Sequence, residues 1–142
     1  MESPLTTWLI DTALFKSLAP APSRSFRKWI EAHEDPMFLS VASLVEIRGA
    51  IAKIPPSRAQ RAEALSNWLV GLVSGFGDRI YPVNHEIALR AGELLPHCHA
   101  GQPRHRFHDA VIAATAQVYG HGLLTKREGV FGPWIKVKVV SP

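Results

Sequence analysis

Trp8-Leu9-Ile10-Asp11-Thr12 decides how the rest of the chain is read. Three consecutive apolar residues stopped by an acid and a hydroxyl describe a short buried strand that runs straight into a turn. Leu123-Leu124-Thr125 repeats that form near the other end, and Phe38-Leu39-Ser40-Val41 reads as a strand between them. Arg79-Ile80-Tyr81, closed by Pro82, is a fourth candidate, and residues 136–140 alternate charged and apolar side chains as a half-exposed edge strand does.

Helical patterns fill the intervals. Residues 13–18 suit a short helix stopped by Pro20 and Pro22, and Ser23 reads as the N-cap of a helix carrying Phe26, Trp29 and Ile30 on one face. Ser43 is expected to open the next helix, with Leu44, Ile47 and Ile51 at near-helical spacing before Pro55-Pro56. Residues 57–72 form the longest helical stretch, with Gly71, Gly75 and Gly77 marking its end. Asn84 is expected to cap a helix that turns Ile87, Ala88, Ala91, Leu94 and Leu95 inward. Residues 97–108 read as a polar loop, and Asp109 opens an alanine-rich helix that Gly120 and Gly122 end. Strands alternating with helices predict an α/β fold: a single domain over residues 1–142, with a mostly parallel central sheet of four to five strands flanked by helices. In such sheets ligands bind beyond the carboxyl ends of the strands.

Composition narrows the classes of function. With 46% hydrophobic residues the chain of 142 can bury a core, which argues against wholesale disorder. The single cysteine, Cys98, precludes an intrachain disulfide framework and suits a reducing cytoplasm. No secretory signal is visible, and no apolar run approaches the length of a membrane span. The expected location is the cytoplasm. Sixteen Lys and Arg against twelve Asp and Glu give +4, a balance compatible with a nucleic-acid partner and equally with a plain solvated surface.

Four acids fall where chemistry is expected. Asp11 follows the first strand, Glu46 lies on the first turn of the helix after the second, Asp109 starts the alanine-rich helix, and Glu128 sits just past Thr125. Each also has a local explanation. Asp11 or Thr12 can cap the short helix after it, Ser43-Leu44-Val45-Glu46 fits an S-x-x-E capping box, Asp109 can be an N-cap, and Glu128 a solvated loop residue. Their joint placement points elsewhere. Carboxylates about 4 Å apart repel by roughly 4 kcal/mol per pair at an effective dielectric near 20. A hard divalent cation with oxygen ligands is the natural compensation, and its bound water is a nucleophile suited to a phosphodiester.

These residues carry a resemblance. Trp8-Leu9-Ile10-Asp11-Thr12 resembles the opening motif of PIN domains. The run Phe38-Leu39-Ser40-Val41-Ala42-Ser43-Leu44-Val45-Glu46-Ile47-Arg48-Gly49 is similar to their second motif. Asp109-Ala110-Val111-Ile112-Ala113-Ala114-Thr115-Ala116 resembles the third, the most specific of the set, and Leu123-Leu124-Thr125-Lys126-Arg127 the fourth. The chain closes on Val139-Val140-Ser141-Pro142, like the final strand and proline of these proteins.

The resemblance is to the VapC-type toxins of type II toxin–antitoxin systems. It implies a PIN-like fold and an endoribonuclease dependent on Mg²⁺ or Mn²⁺, in which Asp11, Glu46 and Asp109 hold the cation. It also implies a cognate antitoxin, an RNA substrate and a homodimer, with the aromatic-rich region at residues 67–76 either the contact surface or plain core packing. Thr12 and Thr125 are candidates to orient a ligating carboxylate through hydrogen bonds, or to cap turns locally.

Three positions depart from the family pattern. Ala13 stands where Asn or Ser is usual, Arg127 where Asn or Asp is expected, and Val130 where an acid often precedes the Phe. Glu128 is the candidate replacement for the fourth acid; alternatively Arg127 contacts a phosphate and the fourth carboxylate is missing. The same departures support a competing reading, a non-catalytic PIN-like module that binds RNA or protein. His97, Cys98, His99, His105 and His108 match no strong zinc spacing, so a polar loop is favoured over a zinc site. Arg104 and Arg106 are candidate RNA contacts for which solvated charge is the favoured alternative, and His108, just before Asp109, is a candidate substrate contact.

Overall fold

The computed structural model describes residues 7–15, 24–33, 36–98, 106–131 and 139–140. Among these residues five strands, β1 (Trp8–Ile10), β2 (Met37–Ser40), β3 (Ile80–Tyr81), β4 (Gly122–Leu124) and β5 (Val139–Val140), form one parallel sheet in the order β3-β2-β1-β4-β5. The first strand is therefore central. From it the chain builds outward on one side through β2 and β3, then crosses to the other side for β4 and β5. Such a reversal opens a crevice beyond the carboxyl ends of the two strands at the crossing point, here β1 and β4. Asp11 leaves one of these strands and Thr125 the other.

Burial on both faces of the sheet explains why the strands are so apolar. Leu9 and Leu123 face a core cluster with Ile87, Ala91, Leu94, Ile112 and Phe131, while Trp8, Ile10 and Leu124 face a second one with Met37, Leu39, Ile47, Ile51 and Leu65. Both faces are thus covered, as a parallel sheet requires. On the first face pack α4 (His85–Leu94) and α5 (Arg106–Tyr119), which also pack on each other. On the second lie α2 (Val41–Ala52) and α3 (Ala59–Phe76), with Trp29 of α1 (Arg24–Ala32) against the edge of Trp8. A short helical turn, α6 (Glu128–Phe131), follows β4 and buries Phe131.

Several boundaries differ from the sequence expectation, each for a local reason. The first helical turn is a 3₁₀ segment, Thr12–Phe15, with the Leu14 N–H donating to the Asp11 carbonyl. The second strand ends at Ser40, which caps α2 by accepting from the Ala42 N–H at 3.0 Å. Ser43 is consequently inside α2 and buried, the capping box with Glu46 does not form, and Glu46 lies in the second turn. Gly71 and Gly75 are within α3, and only Gly77, at φ +52°, ends it. Asn84 does cap α4, accepting from Ile87 N–H at 3.0 Å, but Ala88 faces solvent. The largest shift is at α5, which begins at Arg106, so Asp109 sits inside the helix rather than at its N-cap. Pro20, Pro22, Ser23, His99, Arg104, His105 and residues 136–138 and 141–142 lie outside the described residues.

Among the described residues, no helix is long and apolar enough to cross a membrane.

Candidate metal centre

Burial of the alanine face of α5 places Asp109 against the sheet. Ala110, Ala113, Ala114 and Ala116 are all fully buried, and such small side chains let the helix lie close to β1 and β4. Asp109, one residue ahead of that run, is carried to the carboxyl end of the strands and is itself 7% exposed. Asp11 is fixed from the other direction. Its N–H continues the β1–β4 ladder by donating to the Leu124 carbonyl at 2.8 Å, and the residue is 1% exposed. Two carboxylates are therefore buried at one point of the crevice.

Arg127 bridges them. Its Nε–H and Nη2–H donate to the two carboxylate oxygens of Asp11 at 3.0 and 2.9 Å, and Nη2–H also donates to Asp109 Oδ1 at 2.8 Å. A longer bond, 3.4 Å, joins Nη1 to Asp109 Oδ2. The planar fork of a guanidinium suits this two-carboxylate arrangement better than an ammonium would. Burial works against the charged guanidinium, but the hydrogen bonds and charge of Asp11, and then those of Asp109, outweigh it and raise its pKa above the ordinary arginine value. The face of Phe131 lies 5.1 Å from the guanidinium carbon.

Thr125 ties the two strand exits together. Its hydroxyl donates to Asp11 Oδ2 at 2.6 Å and accepts from the Arg127 N–H at 2.9 Å. Thr12 performs the matching role toward α2. Its hydroxyl donates to Ser43 Oγ at 2.7 Å, with Glu46 Oε1 as a longer acceptor at 3.4 Å. Glu46, partly exposed, thus lies one hydrogen bond from the residue that follows Asp11.

The placement of the expected acids is uneven. Asp11 and Asp109 meet through Arg127, and Glu46 approaches from the side of Thr12; the Glu128 side chain lies outside the described residues. Among the described residues no three His, Cys, Asp or Glu side chains close on a common point for a metal ion. The donor chemistry nevertheless fits one, because two buried carboxylates are hard oxygen ligands already holding a cation, the guanidinium. The capping explanations do not describe these side chains: the Asp11 carboxylate is spent on Thr125 and Arg127, and Asp109 stands past the first residues of its helix.

Sequence reasoning missed the partner of Arg127. The available signal was a basic residue two positions after Thr125, at the exit of a strand neighbouring the one that delivers Asp11. It missed Ser43 as well, whose buried hydroxyl serves Thr12 rather than a helix end. Among the described residues Cys98 joins no group of three potential metal ligands. Burial, then the Asp109 charge, with Arg106 opposing, push its thiol pKa up to about 11, and Sγ–H donates to the Leu94 carbonyl. His108 Nδ1, next to Asp109 in sequence, is shielded from solvent without a hydrogen-bond partner among the described residues.

Comparison with known proteins agrees with this architecture. The FitAcB structure from Neisseria gonorrhoeae superimposes with a TM-score of 0.76 at 24% identity, over 95% of this chain and 97% of that one. VapBC2 from Rickettsia felis, bound to a promoter DNA fragment, gives 0.70 at 15% identity, over 95% and 98%. VapBC-5 from Mycobacterium tuberculosis, a toxin–antitoxin system, gives 0.62 at 17%, over 96% and 99%. At these identities the likeness establishes the fold. No curated protein sequence matches the chain significantly. The model of the PIN domain matches residues 9–129, a span running from β1 through the loop that carries Arg127, and the chain belongs to the PIN domain family.

Proposed function

We propose that this protein is the toxin of a toxin–antitoxin pair and acts as a divalent-metal-dependent endoribonuclease. The observation that carries the reading is the convergence of Asp11 and Asp109, from separate elements, on one cation at the crossing point of a PIN-domain sheet. Support for the toxin assignment comes from two of the similar solved structures, a toxin–antitoxin complex from Klebsiella pneumoniae and a member of the VapBC family of toxin–antitoxin systems from Mycobacterium tuberculosis.

Asp11 and Asp109 would hold Mg²⁺ or Mn²⁺, with Glu46 and Glu128 as the remaining acids of the same site. When bound, such an ion neutralises phosphate charge and activates water for phosphodiester hydrolysis. The chain's own part is positioning. Thr125 fixes the rotamer of Asp11, and Thr12 with Ser43 holds the side from which Glu46 approaches. An RNA substrate, a cognate antitoxin that covers this crevice, a homodimer and action in the cytoplasm complete the proposal. Val70 and Val73, 68% and 40% exposed on α3, lie in the region suggested for protein contacts.

One observation favours a second reading. Arg127 already satisfies the two aspartates, which is what a non-catalytic PIN-like module binding RNA or protein would have. Incubating the purified protein with RNA in Mg²⁺ or Mn²⁺ separates the two. The nuclease reading expects cleavage that chelator abolishes and Asp11→Asn reduces to background; RNA binding without cleavage at any metal concentration supports the module instead.

A further inference from the structure

We propose that Arg127 is a built-in competitor of the metal: its guanidinium occupies the Asp11–Asp109 pair in the metal-free protein and must leave when a divalent cation binds. This inference rests on the reading of the crevice as a cation site and adds to it how loading is controlled.

Three features of the molecule carry it. The first is stoichiometric. Arg127 donates to both oxygens of Asp11 and both of Asp109, so its guanidinium fills the place between the two carboxylates that a shared metal would take. A divalent ion joining the same carboxylates would also sit against a fixed positive charge, and that repulsion is strong where water is excluded. Metal and guanidinium are therefore alternatives at this place.

The second feature is the anchoring of the residue. The Arg127 N–H donates to Thr125, and its carbonyl accepts from the Val130 and Phe131 N–H groups at 2.9 and 3.4 Å. The backbone is thus held at both ends, between β4 and α6, and only the side chain is left to rearrange. The third is an exit. The Arg127 side chain is 29% exposed, against 1% for Asp11 and 9% for Asp109, so it reaches solvent where the acids it pairs with do not. Rotation about the side-chain torsions releases the carboxylates without disturbing the sheet.

The device keeps two buried carboxylates compensated before metal arrives, and it sets a threshold that metal must exceed. Two measurements test it. In calorimetric titration of Mn²⁺ into the full chain, Arg127→Gln is expected to bind at least tenfold more tightly than the unaltered protein, and Asp11→Asn is expected not to bind. Equal affinities for the unaltered protein and Arg127→Gln, lost in Asp11→Asn, would leave the cation site standing and overturn the competition. Absence of Mn²⁺ binding in the unaltered protein and in Arg127→Gln would remove the cation site itself, and the proposal with it.

The second measurement needs no variant. By NMR the Arg127 Nε–H, assigned through its own side-chain correlations, is expected to exchange slowly with water in metal-free protein. Saturating Mg²⁺ is expected to remove that protection. A resonance that keeps its shift and its protection while Mg²⁺ is bound would overturn displacement.

Discussion

Thr125 shows how much one hydroxyl does at this site. It has two bonds, one to Asp11 and one from the Arg127 backbone, and it is fully buried. Thr125→Val keeps the shape and deletes both bonds. The expected cost is about 1–3 kcal/mol in urea unfolding, chiefly from the Arg127 N–H left without its acceptor, since Asp11 Oδ2 keeps Arg127 Nε–H; the proposed RNA cleavage is expected to fall about 10–100-fold, as for loss of a ligand-orienting contact. Thr125→Ser should restore most of both. Cys98 gives a second residue-level expectation, with its sign fixed by burial. Its thiol titrates near 11 in the folded chain against 9.0 unfolded, so the folded state holds the proton longer. That contribution to stability is complete below pH 9 and is lost as pH rises through about 11. A thiol reagent at pH 8 should accordingly label Cys98 only after denaturation. The two aspartates could be found from sequence because each adjoins an apolar segment whose burial fixes where it emerges. The Arg127 bridge could not, since pairing across 116 positions depends on β4 lying beside β1.

Among the elements, α5 shows both what a sequence pattern reveals and where it stops. Its apolar run, buried from Asp109 through Ala116, could be read directly, and so could its end at Gly120. There the Gly120 N–H donates to Gln117 and the His121 N–H to Ala116, with Gly120 at φ +70°, the left-handed closure that glycine accepts without strain. A Cβ at Gly120 would meet nothing within 4 Å, so Gly120→Ala tests backbone strain alone. A loss of about 1 kcal/mol is expected in thermal or urea unfolding, and Gly120→Asn should lose less because Asn tolerates that region. The start of α5 was harder to read, because Asp109 has the chemistry of an N-cap and hides the turn before it. The same ambiguity affects α2. Ser40 and Ser43 are both able to cap, and pairing of Ser40 with Tyr81 at the end of β2 hands the role to Ser40. This frees the Ser43 hydroxyl for Thr12.

For the molecule as a whole, strand order turns these local facts into a site. With β1 in the centre and the chain reversing between β1 and β4, the residues after those two strands are neighbours, and α5 brings a third contribution to the same end. The α/β class and the parallel sheet could be read from alternating segments, whereas the order β3-β2-β1-β4-β5 was not specified by the pattern. A crystal of the protein soaked in Mn²⁺ and measured for anomalous scattering tests the central claim most directly. The account expects a Mn²⁺ peak bounded by Asp11 and Asp109 with Glu46 contributing, and the Arg127 guanidinium moved off the pair. A fully soaked crystal with no peak there, and Arg127 still bridging the two aspartates, would contradict it.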